Sequence, residues 1–173
     1  MLVIGIDPGT ATTGYGLIRE NLDGNLSLVE YGAILTPADM PMPRRLLELY
    51  NQLRQILLLH RPESGAVEKL FFHRNVTTAI SVGQGRGVAL LALAEAGLEV
   101  AEYTPLQVKQ AVVGYGGADK NQIQQMVRAL LSLDHIPSPD DAADALAIAI
   151  CHVHSSKIGA LIDTSQMDES QKK

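Results

Sequence analysis

The chain opens on short apolar runs broken by turn-forming residues, then changes to stretches whose apolar positions recur every three or four residues. Residues 2–7, 13–19 and 26–36 read as three strands, separated first by Pro/Gly/Thr and then by Asn/Asp/Gly turn chemistry. Connections that short make an antiparallel meander. After Pro41 and Pro43, Leu46, Leu49, Tyr50, Leu53, Ile56 and Leu57 fall at helical spacing, which predicts an amphipathic helix over 44–60, stopped by Pro62. A strand over 65–70 follows. Residues 77–96 then predict a long helix that is apolar nearly all round and so needs burial on more than one side. A strand over 98–103 leads to Thr104 and Pro105, an N-cap and first helical residue for a short helix to about 113. Beyond a glycine loop at 114–117, two more helices are predicted over 119–133 and 139–154.

Three strands followed by alternating helices and strands define an α/β chain with one mixed sheet covered by helices on both faces. The strands carrying Asp7 and Glu68 are then expected to be parallel neighbours. In open sheets of this kind functional groups gather at the carboxyl ends of strands, where the topology changes direction. The length fits one domain with its own core. The expected organisation is a folded domain over 1–156 and a polar, flexible tail over 157–173, with no internal repeat.

Composition narrows the picture. Hydrophobic residues make up 46% of the chain, yet no apolar run approaches the roughly 20 residues that cross a bilayer. The start lacks the charged and small-residue pattern of an export signal. The lone Cys151 excludes an intramolecular disulfide and a cysteine-based zinc site, and reads as a buried helix residue. A soluble, cytoplasmic protein is the expectation. The net charge of −5 argues against nucleic acid, because phosphate contacts need Lys and Arg. Between residues 69 and 128, however, six basic residues face four acidic ones, a local balance of +2. A divalent cation bound by carboxylates would remove more of the deficit.

Three short motifs carry candidate chemistry. In Ile4-Gly5-Ile6-Asp7-Pro8-Gly9-Thr10 an acidic residue ends an apolar strand and meets a forced turn. Such an aspartate either caps the turn or presents a fixed carboxylate to solvent; similar turns cradle phosphates in actin-like ATPases and sugar kinases, so the motif marks a site without choosing a reaction. Glu68, in Ala66-Val67-Glu68-Lys69-Leu70, is either a surface glutamate or a second fixed carboxylate. In Ser138-Pro139-Asp140-Asp141-Ala142-Ala143-Asp144, Ser138 reads as an N-cap, Pro139 as the first helical residue and Asp141 as the acid of a capping box. The helix dipole accounts for Asp140 and Asp141 but not for Asp144, which lies beyond the first turn. Asp141 and Asp144, three apart, share one helix face. If Asp7, Glu68, Asp141 and Asp144 converge, their repulsion requires cations. Oxygen-only ligands suit magnesium or manganese, and two such ions about 3.5–4 Å apart can drive in-line phosphodiester hydrolysis.

Other features have plainer readings. Gly83, Gly85 and Gly87 precede no Gly-Lys-Ser/Thr and lie inside a helical pattern, which favours close helix packing over a phosphate loop. His152 and His154, two apart on a helix, face different directions and read as solvated or packed. Phe71 and Phe72, beside Arg74, are either core residues or aromatics that stack on unpaired bases.

The stretches "GIDPGTATTGYGLI", "VEKLFFHRNVTTAISVGQGRGVAL", "QVKQAVVGYGGADKNQIQQMVRALL" and "DAADALAIAICHVH" resemble, in order, the Holliday-junction resolvases of the RuvC type, and the resemblance runs to about residue 155. It implies an RNase H-like fold with a mixed five-stranded sheet and helices on both faces. It also implies a homodimer that makes paired symmetric nicks across a four-way DNA junction in recombination and repair, alongside a RuvA–RuvB branch-migration complex. Position by position it makes Asp7, Glu68, Asp141 and Asp144 the catalytic, metal-binding quartet, with Mg2+ (Mn2+ able to substitute), two per site. Phe71 matches the aromatic that contacts bases, with Arg74 beside it, and Lys109 and Lys120 match lysines that hold phosphates near the cut. Asp140 leaves open which aspartate leads "DDAAD"; the spacing to Asp144 favours Asp141. The alternatives are a related RNase H-like RNA-processing nuclease, which usually lacks the "GQGRG" and "QVKQ" blocks, and a junction-binding scaffold without cleavage activity.

Overall fold

The structure, a computed structural model, describes residues 1–69 and 76–170, with side chains at 76–78 and 157–170 outside that description. Strands β1 (Leu2–Asp7), β2 (Thr12–Glu20) and β3 (Leu26–Leu35) form the expected antiparallel meander. β4 (Ser64–Glu68) pairs parallel with β1, and β5 (Val100–Tyr103) parallel with β4, in the order β3-β2-β1-β4-β5. The β1–β4 register sets Ile6 against Val67, so the next residues, Asp7 and Glu68, end neighbouring strands at one edge of the sheet.

Strand alternation sorts the side chains into two layers. Ile4, Ile6 and Val67 join Leu49, Leu53 and Leu57 of α1 (Met42–His60) and Ala89, Ala92 and Leu93 of α2 (Val76–Glu95) on one face. Val3, Ile18 and Ala66 face α3 (Pro105–Val113), α4 (Lys120–Leu130) and α5 (Asp140–Ser170) on the other. By the same alternation, Val3, Gly5 and Asp7 on β1 and Ser64, Ala66 and Glu68 on β4 share the face beneath α5.

Glycine lets α5 lie against the sheet backbone to backbone. A Cβ at Gly5 would stand 2.2 Å from the carbonyl oxygen of Ala145, and one at Gly14 would stand 1.9 Å from that of Asp141. The facing helix residues, Ala142, Ala145 and Ala149, are themselves small and buried. This seam brings the first turns of α5, with Asp141 and Asp144, over the ends of β1 and β2.

Several local expectations change. The helix expected to stop near 154 continues to Ser170; residues 155–170 contain no proline to stop it, and the polar composition that read as a tail does not end the helix. α4 stops at Leu130, with Ser132 at φ 52 beyond it. At the start of α5 both Ala142 and Ala143 donate to the Pro139 carbonyl, which places Pro139 at the N-cap instead of Ser138. With Pro139 at the N-cap, Asp141 is the second helical residue and the third is Ala142, so the capping-box role expected of Asp141 does not form. Gly85 does pack closely, its position for a Cβ 2.9 Å from the Gly9 carbonyl oxygen, but Gly83 and Gly87 meet nothing within 4 Å. Close packing therefore explains one glycine of that run. Cys151 is buried, as its place in the helix implied. Among the described residues no helix is long and apolar enough to cross a membrane.

Candidate active site

Asp7 and Glu68 are brought together by the parallel register, and α5 adds its two aspartates from above. Asp7, Glu68 and Asp144 line one cleft of about 160 Å³ with Lys109, Pro105, Val108 and Ile123. Burial pushes the Asp7 carboxyl up to about 7, helped by the negative charges of Glu68, Asp144 and Asp141, with Lys120 opposing them. Glu68 is raised in the same direction by burial and by Asp144. Asp144 is raised by burial, against the lowering effect of Lys120. Those three carboxyls thus hold protons more tightly than free ones because they share a desolvated space.

Lys120, in the first turn of α4, is the nearby counter-charge. Its ammonium lies 3.3 Å from Asp144 and 3.0 Å from Asp140, and these carboxylates hold it above its ordinary pKa. Asp119 caps α4 by a reciprocal box with Gln122, which fixes the turn from which Lys120 extends. α3 is fixed in the same way: Thr104 and Gln107 form its capping box, and Lys109 follows one turn on, against the cleft.

The structure separates the two adjacent aspartates. Asp141 acts electrostatically on Asp7, whereas Asp140 is exposed and turned to Lys120 and to Gln124 at 3.0 Å. Asp140→Asn should therefore keep cleavage within about fivefold of the unchanged protein, the scale of one exposed ion pair. Single-turnover nicking measures it, and an inactive Asp140→Asn beside an active Asp141→Asn reverses the order.

Sequence reasoning missed Arg86. Its guanidinium reaches from α2 to the backbone carbonyl of Glu68 at 3.4 Å and pairs with the carboxylate of Glu102 on β5, bracing the end of β4. Ser81, also on α2, shares a 3.0 Å hydrogen bond with Thr10 in the turn after Asp7. Both pairings join residues far apart in the chain, and only the "GQGRG" block hinted at them. Phe71, Phe72 and Arg74 lie outside the described residues.

The donor set is oxygen-only, and the excess negative charge at Asp7 is what a hard divalent cation would neutralise. Among the described residues no three His, Cys, Asp or Glu side chains are grouped so as to hold a metal ion by themselves. An open set is compatible with magnesium, which keeps water and substrate phosphate among its ligands in phosphoryl-transfer sites and seldom sits in an all-protein cage. The carboxylates therefore fit such an ion as a partial ligand shell.

A five-stranded mixed sheet with this strand order, helices on both faces and acidic residues over the ends of its central strands places the protein in the RNase H-like class. The family model described as "Crossover junction endodeoxyribonuclease RuvC" matches residues 3–152. The relative of that name from Syntrophomonas wolfei is 53% identical over 173 residues, all of both chains. The Thermus thermophilus RuvC structure superposes with TM-score 0.86 at 38% identity, covering 92% of this chain and 97% of that one. The T. thermophilus RuvC in complex with Holliday junction substrate gives TM-score 0.84 at 35% identity, with the same coverage. The chain belongs to the RuvC family of crossover junction endodeoxyribonucleases, whose nucleases are metal-dependent.

Proposed function

We propose that the protein resolves four-way DNA junctions by hydrolysing phosphodiester bonds at the Asp7, Glu68, Asp141 and Asp144 cluster, with Mg2+ as the cation and two ions per site. The observation that carries this reading is the meeting of Asp7, Glu68 and Asp144 in one cleft, where burial first and neighbouring carboxylates second raise all three carboxyls. Bound magnesium supplies an activated water and stabilises the departing oxygen. The chain's own part is to hold the carboxylates on rigid elements. Lys109 lines the cleft and Lys120 reaches its acidic edge, and both are placed to meet a phosphate that approaches the carboxylates. Phe71 and Arg74 are assigned to base contacts at the crossover on the family resemblance. A RuvA–RuvB complex is the expected partner on the junction, and the cytoplasm the expected compartment.

The decisive experiment is a nicking assay on a synthetic four-way junction, linear duplex and structured RNA, with and without Mg2+. Paired nicks in the junction alone, only with the cation, are expected. Preferential cutting of RNA would favour an RNA-processing nuclease, and junction binding without nicks under any cation would favour a scaffold.

A homodimer explains how two symmetric nicks arise, and α2 has the surface for it. Ala89, Ala92 and Leu93 are buried against the sheet layer while Ile80 and Leu91 are 58% and 61% exposed. Apolar groups left outside on a helix of this kind mark a partner face. Leu91→Glu should give a folded monomer that releases junctions after one nick. Sedimentation and the ratio of single to paired nicks test this; a wild-type protein that is monomeric at micromolar concentration and on the junction removes the model.

A further inference from the structure

On the cleft side of α5, Asp144, Ile148 and His152 follow one another at intervals of four residues and form a single stripe. Beneath it, Ser64, Ala66 and Glu68 line the same face of β4, which runs the opposite way. At one end Asp144 and Glu68 repel each other. At the other, the His152 ring bonds Ser64 Oγ through Nε2 at 3.1 Å and Tyr103 Oη through Nδ1 at 2.9 Å. The two spacers match: four residues of strand span about 13 Å and eight residues of helix about 12 Å.

We infer that His152 is a positioning residue whose bonds to Ser64 and Tyr103 set the axial register of α5 on the sheet and thereby the separation of Asp144 from Glu68. The need for it comes from the alanine–glycine seam. Ala142 over Gly14 and Ala145 and Ala149 over Gly5 make a close contact between small residues, with the Leu146 side chain seated over Gly16, so along the glycine–alanine part of the seam little protrudes to resist sliding along the helix axis. Repulsion among the carboxylates pushes the acidic end apart, and a directional bond at the far end opposes that push. Tyr103 strengthens the case, because it stands in register beside Glu68 on the next strand. Burial keeps the imidazole below its ordinary pKa and hence neutral, with one ring nitrogen donating and the other accepting.

The inference rests on the carboxylate reading above, and the variants separate the two. The amide of Gln reaches about as far as Nε2, whereas that of Asn reaches only as far as Nδ1. His152→Gln therefore keeps the bond to Ser64 and His152→Asn loses it. Two midpoints in Mg2+ are read: for junction cleavage under single turnover, and for the cation-dependent rise in melting temperature without DNA. His152→Asn and Ser64→Ala should raise both midpoints roughly fivefold, the size of one net hydrogen bond, with junction affinity unchanged and His152→Gln near the unchanged protein. Wild-type midpoints in Ser64→Ala, or equal behaviour of the Gln and Asn variants, would overturn the register role. If instead Asp7→Asn keeps cleavage and its cation dependence, the carboxylate reading itself has failed.

Discussion

Asp7→Asn leaves a protein that binds a four-way junction and does not cut it. The substitution preserves shape and removes one negative charge from the cluster, so cleavage should fall at least about a thousandfold, the scale of a lost metal-ligand interaction in the transition state. Binding should hold or tighten as repulsion of phosphate declines. Stability should move the other way from activity. The folded protein raises the Asp7 carboxyl from 3.8 to about 7, so the native state binds its proton more tightly than the unfolded chain does. Between about pH 4 and pH 7 each rise in pH therefore removes stability, as the carboxyl ionises among Glu68, Asp144 and Asp141. Above pH 7 that loss is complete. Without divalent cation, Asp7→Asn should melt higher than the unchanged protein at pH 8, and the gap should close on acidification toward pH 4. Adding Mg2+ should raise the melting temperature of the unchanged protein far more than that of the variant. Equal cleavage rates would take Asp7 out of the mechanism, and a variant that melts lower at pH 8 would contradict the electrostatic account of the site.

Gly5→Val should be the most damaging single change to the fold. The first added carbon would lie 2.2 Å from the Ala145 carbonyl oxygen and 2.6 Å from the Ala149 nitrogen, both backbone atoms that no rotamer change can move. α5 must lift or the sheet must bend, at roughly 3 kcal/mol or more, which lowers the melting temperature by about 6–12 °C in a chain of this size. Because α5 carries Asp141 and Asp144, cleavage should fall even at temperatures where the variant is folded. Gly83→Ala offers the contrast: with nothing within 4 Å of its position for a Cβ, alanine should stabilise the helix by about 0.5–1 kcal/mol. Thermal unfolding of the two variants side by side tests the seam, and a tolerated Gly5→Val would show that α5 does not lie as close as described.

What could be read from the chain depended on how local the cause was. Asp7 was legible because it ends an apolar strand at a forced turn, and Glu68 because strand alternation sets it opposite to Val67, a property of a few adjacent residues. The antiparallel meander and the parallel pairing of β1 with β4 followed from short connections early and a long one later. The start of α5 misled for an equally local reason: Ser-Pro-Asp-Asp carries every mark of a cap at Ser138, yet the helix hydrogen bonds begin at the Pro139 carbonyl. The far end of α5 lacked an apolar period, so a pattern tuned to buried faces did not extend it. Arg86 with Glu68 and His152 with Ser64 and Tyr103 were illegible for a different reason. Both are pairings across elements, and a lone arginine or histidine on a helix does not announce its partner.

The position of β1 has a consequence for how the site breathes. β1 lies in the middle of the sheet, antiparallel to β2 on one side and parallel to β4 on the other, with Val3, Ile4 and Ile6 fully buried. Amides so enclosed exchange with solvent only when the whole domain opens, whereas exposed helix ends exchange through local fraying. Asp7 thus rides on the slowest-exchanging part of the molecule, while Lys120 projects from the first turn of a short helix at the surface. The active site thus joins a carboxylate carried by the enclosed centre of the sheet to a lysine carried by a surface helix.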